Sequence, residues 1–152
     1  MTDPEPGPHG SSVFTSAERA YLHTQRLARL ATVDRWGRPQ NSPVGLHYNP
    51  DTDTIDIIGW NLGASRKYRN VIDQPHVALV VDDMPVEGAP RGVEIRGHAQ
   101  ALHATSRPGT IGHAIIRIHA DRIISWGLEL ADQPEKSRPA FPVGRTAQPR
   151  HG

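Results

Sequence analysis

The stretch Arg91 to His103 sets the strongest limit on the fold. Small and apolar residues (Val93, Ile95, Gly97, Ala99, Ala101) alternate with polar ones (Glu94, Arg96, His98, Gln100). A period of two marks a strand with one buried and one wet or interfacial face. Shorter runs of the same kind surround it. Leu27 to Val33 and Gln40 to Tyr48 flank the turn Asp34-Arg35-Trp36-Gly37 and read as a hairpin. After a turn at 49–53, Thr54 to Trp60 forms a β-branched third strand. Val77 to Val81 is a buried strand, and Asp82 to Pro90 reads as a loop because it holds two prolines. Beyond a Gly/Pro loop at Ser106 to Gly112, Ala114 to His119 is a sixth strand. Asp121 to Trp126 is a seventh strand or a continuation of the sixth. Two short helices complete the pattern. Thr15-Ser16-Ala17-Glu18 fits a capping box opening a helix over Ser16 to Gln25. A second helix covers Ala64 to Ile72. Short strands joined by tight turns imply a mostly-β antiparallel barrel or sandwich.

The chain has 152 residues, the size of one domain. Its 14 glycines and 14 prolines are spread unevenly and are densest at the two ends. Residues 1–12 and 131–152 therefore read as disordered tails around an ordered domain at 13–130. A core of that size is often completed by dimerisation. The net charge of +1 argues against a dedicated nucleic-acid binder. The absence of cysteine excludes disulfides, thiolate-bound metals and thiol catalysis. No window is apolar enough to span a membrane, and the polar start is no signal peptide, so the expected place is the cytoplasm.

The usual catalytic and nucleotide motifs are missing: GxSxG, HExxH, Walker A and GxGxxG. The nine histidines do not fall at metal-ligand spacing, and Asp51, Asp53 and Asp56 fit turn chemistry rather than a calcium loop, so no metal is expected.

One cluster carries chemistry. Arg66, Lys67 and Arg69 are three cations in four residues, and only one other lysine, Lys136, exists in the chain. They follow the break Asn61-Leu62-Gly63-Ala64-Ser65 and so open the second helix. Free N–H groups at a helix start, the Ser65 hydroxyl, a guanidinium fork and a point charge together suit a phosphate. The same spacing also suits a solvated helix face with a serine cap.

Asn61 to Lys67 resembles the N-x-x-S-R-K segment of the pyridoxamine 5′-phosphate oxidase family. Asp73 to Val80 is similar to that family's N-P-x-V-x-L strand entry, and Arg91 to Ala99 to its R-x-V-x-V-x-G-x-A strand. Arg29 to Val33, Gly37 to Pro39 and Ser42 to Val44 resemble its first hairpin. The similarity covers roughly residues 14–128. It implies a split β-barrel of six or seven strands, FMN-binding-like, working as a homodimer with cofactor sites between the subunits. Two departures turn the reading from pyridoxamine phosphate oxidation: Gly92 where the oxidase has Gln, and the ending Ser125-Trp126-Gly127 before a Pro-rich tail. The Ser42-Pro43-Val44 strand and the Lys67-x-Arg69-Asn70 continuation look like a branch similar to reductases of the deazaflavin coenzyme F420, tetracycline-biosynthesis reductases among them.

The resemblance implies hydride transfer from reduced coenzyme F420 to an electron-poor C=C, such as an enone or a tetracycline-like intermediate. The alternative is an FMN-dependent oxidase or flavin reductase, or a non-catalytic flavin- or tetrapyrrole-binding protein, on the same barrel. Ser65, Arg66 and Lys67 would hold the cofactor phosphate. Asn41, Ser42, Pro43 and Val44 would run along the ring edge. Gly59 and Trp60 would lie beside the ring or its ribityl chain, and Trp126 would cover the pocket. His47 and Tyr48 are considered as carbonyl-polarising donors, and no catalytic side chain is assigned.

Overall fold

The computed structural model describes residues 11–104, 113–128 and 144–147. Helix α1, Ser16–Thr24, opens with the expected capping box: Thr15 Oγ1 accepts from the Glu18 N–H, and Glu18 accepts from the Thr15 N–H. Strands β1 (Leu27–Val33) and β2 (Pro39–Asn49) form the expected hairpin, with Leu30 opposite Ser42. Strand β3 is Thr54–Ile57, shorter than the sequence pattern suggests, because the chain turns away at Ile58. A 3-10 turn at Leu62–Ala64 leads into helix α2, Arg66–Asp73, capped by the Ser65 hydroxyl on the Tyr68 N–H. The helix therefore begins two residues later than expected, at the first cation.

Strand β4 runs His76–Val86 and β5 runs Ala89–Ala104. The stretch Asp82 to Pro90, read from its prolines as a loop, is instead the tip of this hairpin. Val86 pairs with Ala89 around Glu87-Gly88, and the ladder absorbs Pro85 in an irregularity between Asp83 and Val86. Strand β6, His113–Trp126, is one continuous element, so Asp121–Trp126 continues the sixth strand. The expected loop Ser106–Gly112 lies outside the described residues.

The strand order is β3-β2-β1-β4-β5-β6, and β6 pairs back onto β3 through Ile55–Ile118 and Ile57–Ile116. This closes a six-stranded antiparallel barrel. Its interior is filled by the inward row of each strand, including Leu30, Ile55, Ile57, Leu79, Val93, Ile95, Ile116 and Ile118, all nearly sealed from solvent. Burying each such side chain contributes roughly 1.5–3 kcal/mol, which makes this core the main source of stability. Gly97 sits at the one register shift of β5 and β6, where Asp121 is the extra residue. A Cβ on Gly97 would overlap the His119 carbonyl, so glycine is required there.

A seventh strand, β7 (Gly144–Thr146), lies in the stretch expected as a tail and extends the sheet beside Arg122–Ile124 of β6. Its anchor is Arg145, whose guanidinium meets the buried Glu18 carboxylate at 2.5 and 2.6 Å and the Val13 carbonyl at 3.0 Å. At the other end, Ser12 Oγ donates to Asp53 at 2.6 Å, so Ser12 is held rather than loose. The rest of the expected tails lies outside the described residues. Among the described residues, no helix is long and apolar enough to cross a membrane.

Candidate functional site

The β1–β2 turn and α2 face each other across a cavity of about 340 Å³. Its walls are Asp34, Arg35 and Trp36 on the turn and Ala64, Ser65, Arg66, Arg69, Asn70 and Asp73 on the helix side. Arg66, Arg69, Asn70 and Asp73 are spaced three and four apart, so one helix face lines the cavity. Asn70 fixes that face against the hairpin. It is buried, and its Nδ2 donates to Thr32 Oγ1 at 3.0 Å and Gln40 Oε1 at 2.8 Å. Tyr68 ties the same helix to β5 by donating to the Leu102 carbonyl.

The turn is equally well fixed. Asp34 accepts from the Trp36 and Arg38 N–H groups, both at 2.9 Å, and from Arg38 Nε at 2.8 Å. Burial pushes the Asp34 carboxyl up, but these bonds and the Arg38 charge outweigh it, and the group stays ionised below the usual carboxylate range. The Arg35 and Arg38 guanidiniums lie 5.1 and 4.8 Å from the Trp36 ring centre, within cation–π range.

The cations of α2, like Arg26 and Arg122, differ from most other arginines among the described residues. Arg29, Arg38, Arg91, Arg96, Arg117 and Arg145 are each engaged by a carboxylate within 3.0 Å. Arg66, Lys67 and Arg69 have no side-chain hydrogen bond or ion pair among the described residues. The Ser65 hydroxyl itself donates to the Leu62 carbonyl at 2.6 Å and accepts from the Tyr68 N–H, so the open donors are the side chains of Arg66, Lys67 and Arg69. Their chemistry fits a phosphate ester.

The residues expected at the site are thus partly gathered. Ser65 and Arg66 line the cavity; Lys67 follows in the helix but does not line it. Asn41, Ser42 and Pro43 lie on β2 opposite Ala31, Leu30 and Arg29. Val44 points into the core at 7% exposure, so only its backbone is available to a ligand. Gly59 is exposed, and Trp60 stands free at 98% exposure. Trp126 pairs with Gly92, and a Cβ on Gly92 would lie 2.5 Å from its indole, so that glycine makes room for the ring. None of these lines the cavity within one chain.

Of the two donors considered, His47 is exposed on β2. Tyr48 is buried against Phe14 and His23, and its hydroxyl donates to Asp53 at 2.6 Å, so it faces away from the outer surface. Among the described residues no group of histidines and carboxylates could hold a metal ion.

Sequence reasoning missed Arg35, Trp36 and Asp73 as cavity residues. An indole in a hairpin turn was the available signal, since a turn residue has no core to enter.

The class defined here is a six-stranded split β-barrel with an unpaired cationic helix start. Residues 14–127 match the pyridoxamine 5′-phosphate oxidase family, and the chain belongs to that family. It is 43% identical over 120 residues to a 5a,11a-dehydrotetracycline/5a,11a-dehydrooxytetracycline reductase of Streptomyces rimosus subsp. rimosus, covering 76% of this chain and 84% of that one. That likeness supports an oxidoreductase. Among solved structures, a heme binding protein from Mycobacterium smegmatis superposes with a TM-score of 0.61 at 13% identity, over 88% of this chain and 59% of that one. A conserved hypothetical protein from Mycobacterium tuberculosis gives 0.60 at 19% identity, over 80% and 89% of the two chains. An FAD-binding protein from Mesorhizobium loti gives 0.54 at 17% identity, over 74% and 91%. At these identities the structures share the fold alone.

Proposed function

We propose that the chain is a reductase that uses coenzyme F420 to reduce an electron-poor C=C of an enone-type small molecule, with tetracycline-like intermediates as the first candidates. The observation that carries this reading is the 43% identity to a dehydrotetracycline reductase over most of both chains. The unpaired Arg66, Lys67 and Arg69 support it, because a cofactor phosphate would supply the acceptor they lack.

In this reading Ser65, Arg66 and Lys67 bind the phosphate. The outer edge of β2 at Asn41 to Val44 orients the ring through backbone groups, Pro43 being unable to donate. The reduced deazaflavin supplies the hydride. Gly59 and Trp60 flank the ring, and Trp126 closes the pocket from a second subunit. That last role requires a homodimer, since a single chain keeps Trp126 over Gly92, away from the cavity. His47, exposed on β2, is the donor retained for the substrate carbonyl. The protein would work in the cytoplasm.

The test is a parallel fluorescence titration with coenzyme F420 and FMN, followed by turnover of dehydrotetracycline-type enones with the reduced deazaflavin. Tight F420 binding and enone reduction are expected. Preference for FMN would move the protein to flavin oxidase or flavin-reductase chemistry. Binding without turnover would make it a carrier.

A further inference from the structure

In the proposed function the cofactor phosphate sits at the start of α2 and the ring lies along β2. A ligand that spans the two is held well only if helix and strand keep a fixed separation. Among the described residues, the polar links between α2 and the β1–β2 hairpin are few. Arg35 and Asp73 stand 3.8 Å apart, longer than a hydrogen bond. Tyr68 ties α2 to β5 instead, through the Leu102 carbonyl. The bridge to the hairpin is Asn70, which is 3% exposed. Its Nδ2 carries two hydrogens, one donated to Thr32 Oγ1 at 3.0 Å and one to Gln40 Oε1 at 2.8 Å. Thr32 and Gln40 are cross-strand partners, so one amide spans both strands of the hairpin. With both hydrogens spent, Asn70 has no donor left for an anion, although it lines the cavity. Gln40 directly precedes Asn41, where the proposed ring edge begins. Asn70 lies four residues after Arg66 and three after Lys67 on the same helix. A run of helix, one hydrogen bond and one strand step therefore join the phosphate cations to the ring edge.

We infer that Asn70, acting through Gln40, is a positioning residue that sets the reach between the phosphate-binding end of α2 and the ring edge of β2. The inference rests on the proposed function and adds no ligand contact to it. The two bonds of Asn70 have different roles. Thr32 is 1% exposed, and its bond fastens α2 to β1 inside the packed interior. Gln40 is half-buried, and its bond passes to the strand that the ring follows. Loss of the first costs stability. Loss of the second lets helix and strand shift relative to each other, which weakens a ligand that touches both and spares one that touches the helix alone.

The experiment compares wild type with Asn70→Ala, Gln40→Met, the combined Gln40→Met/Asn70→Ala, Thr32→Val and Arg66→Ala/Lys67→Ala. Coenzyme F420, FMN and tripolyphosphate are titrated against intrinsic indole fluorescence, and thermal melts are run in parallel. Asn70→Ala and Gln40→Met are each expected to weaken the cofactor that wild type binds by about 10-fold. Tripolyphosphate needs only the cations and should change by less than about twofold. The combined variant should bind cofactor within about twofold of Asn70→Ala, since both changes remove the same bond. Thr32→Val should lower the melting temperature and leave every affinity within about twofold of wild type. Equal losses for cofactor and tripolyphosphate, unchanged cofactor affinity in Gln40→Met, or additive losses in the combined variant would overturn the inference. The proposed function survives those results if wild type binds F420 and Arg66→Ala/Lys67→Ala abolishes that binding. Should wild type bind neither cofactor, the proposed function fails and the inference fails with it. Where Asn70→Ala does not fold, Gln40→Met set against Thr32→Val carries the same test.

Discussion

The two helices handle charge in opposite ways. At α1, Glu18 is 1% exposed, and its oxygens take bonds from the Thr15 N–H, Ser125 Oγ and the Arg145 guanidinium. At α2, the three cations Arg66, Lys67 and Arg69 have no side-chain partner among the described residues. Both helices start with a side-chain cap, so local helix chemistry does not explain the difference. The α1 charge faces the protein and is answered by it. Of the α2 charges, Arg66 and Arg69 line a cavity, and the protein supplies them no carboxylate among the described residues. A buried charge left alone costs several kcal/mol, whereas an exposed one costs little, so only the second arrangement can be kept open for a ligand.

The contrast makes graded predictions. Arg145→Ala should have the largest effect, because it strands the Glu18 carboxylate in the interior. A loss of about 3 kcal/mol in urea unfolding is expected. A loss near zero would erase the distinction between the two helices. Arg66→Ala/Lys67→Ala should do the reverse, weakening cofactor by about 1.5–3 kcal/mol per side chain while leaving the urea midpoint unchanged. A shifted midpoint with normal cofactor affinity would show that these cations serve the fold.

Acid sharpens the comparison further. Burial raises the Glu18 carboxyl, but the hydrogen bonds from Arg145, Thr15 and Ser125 more than offset it, and the net shift is below the usual 4.5. A lowered carboxylate stabilises the fold above its ordinary value and loses that contribution as the pH falls through the folded value. The acid limb of wild type should therefore flatten in Arg145→Ala, measured as urea midpoint against pH. His119 acts at milder pH. Its ring is stacked 5.0 Å from His98, and burial first, then the charges of His98 and Arg117, hold it below 6.5. Neutral in the fold, it loses stability as the pH falls from 6.5 towards that depressed value, and His119→Gln should remove this shallow slope. The smallest effect belongs to the exposed Arg29–Asp82 pair, where Asp82→Asn should change stability by under about 1 kcal/mol.

What the sequence disclosed follows the range of the interactions involved. The α1 capping box and β1 were legible because each depends on neighbours a few residues away. The barrel was legible because alternation records which face of each strand is buried. The β4–β5 tip was misread because Pro85 is a breaker in isolation, while a hairpin can absorb it at an irregularity. Strand β7 was invisible for a different reason. Gly144-Arg145-Thr146 has no strand signature, and it is ordered by Glu18 and by the free edge of β6. The helix-start half of the site was readable as a cluster in one segment. Its other half, Arg35 and Trp36, joins through the tertiary packing in which Asn70 ties α2 to Thr32 and Gln40 of the hairpin.

The Glu18–Arg145 pair bridges 127 positions along the chain. During synthesis Glu18 is made 127 residues before its partner guanidinium. Until residue 145 has cleared the ribosome, seating Glu18 in the interior would bury an uncompensated charge. A chain cut before Arg145 is therefore expected to fold with Glu18 unpaired and to be less stable than one that includes it.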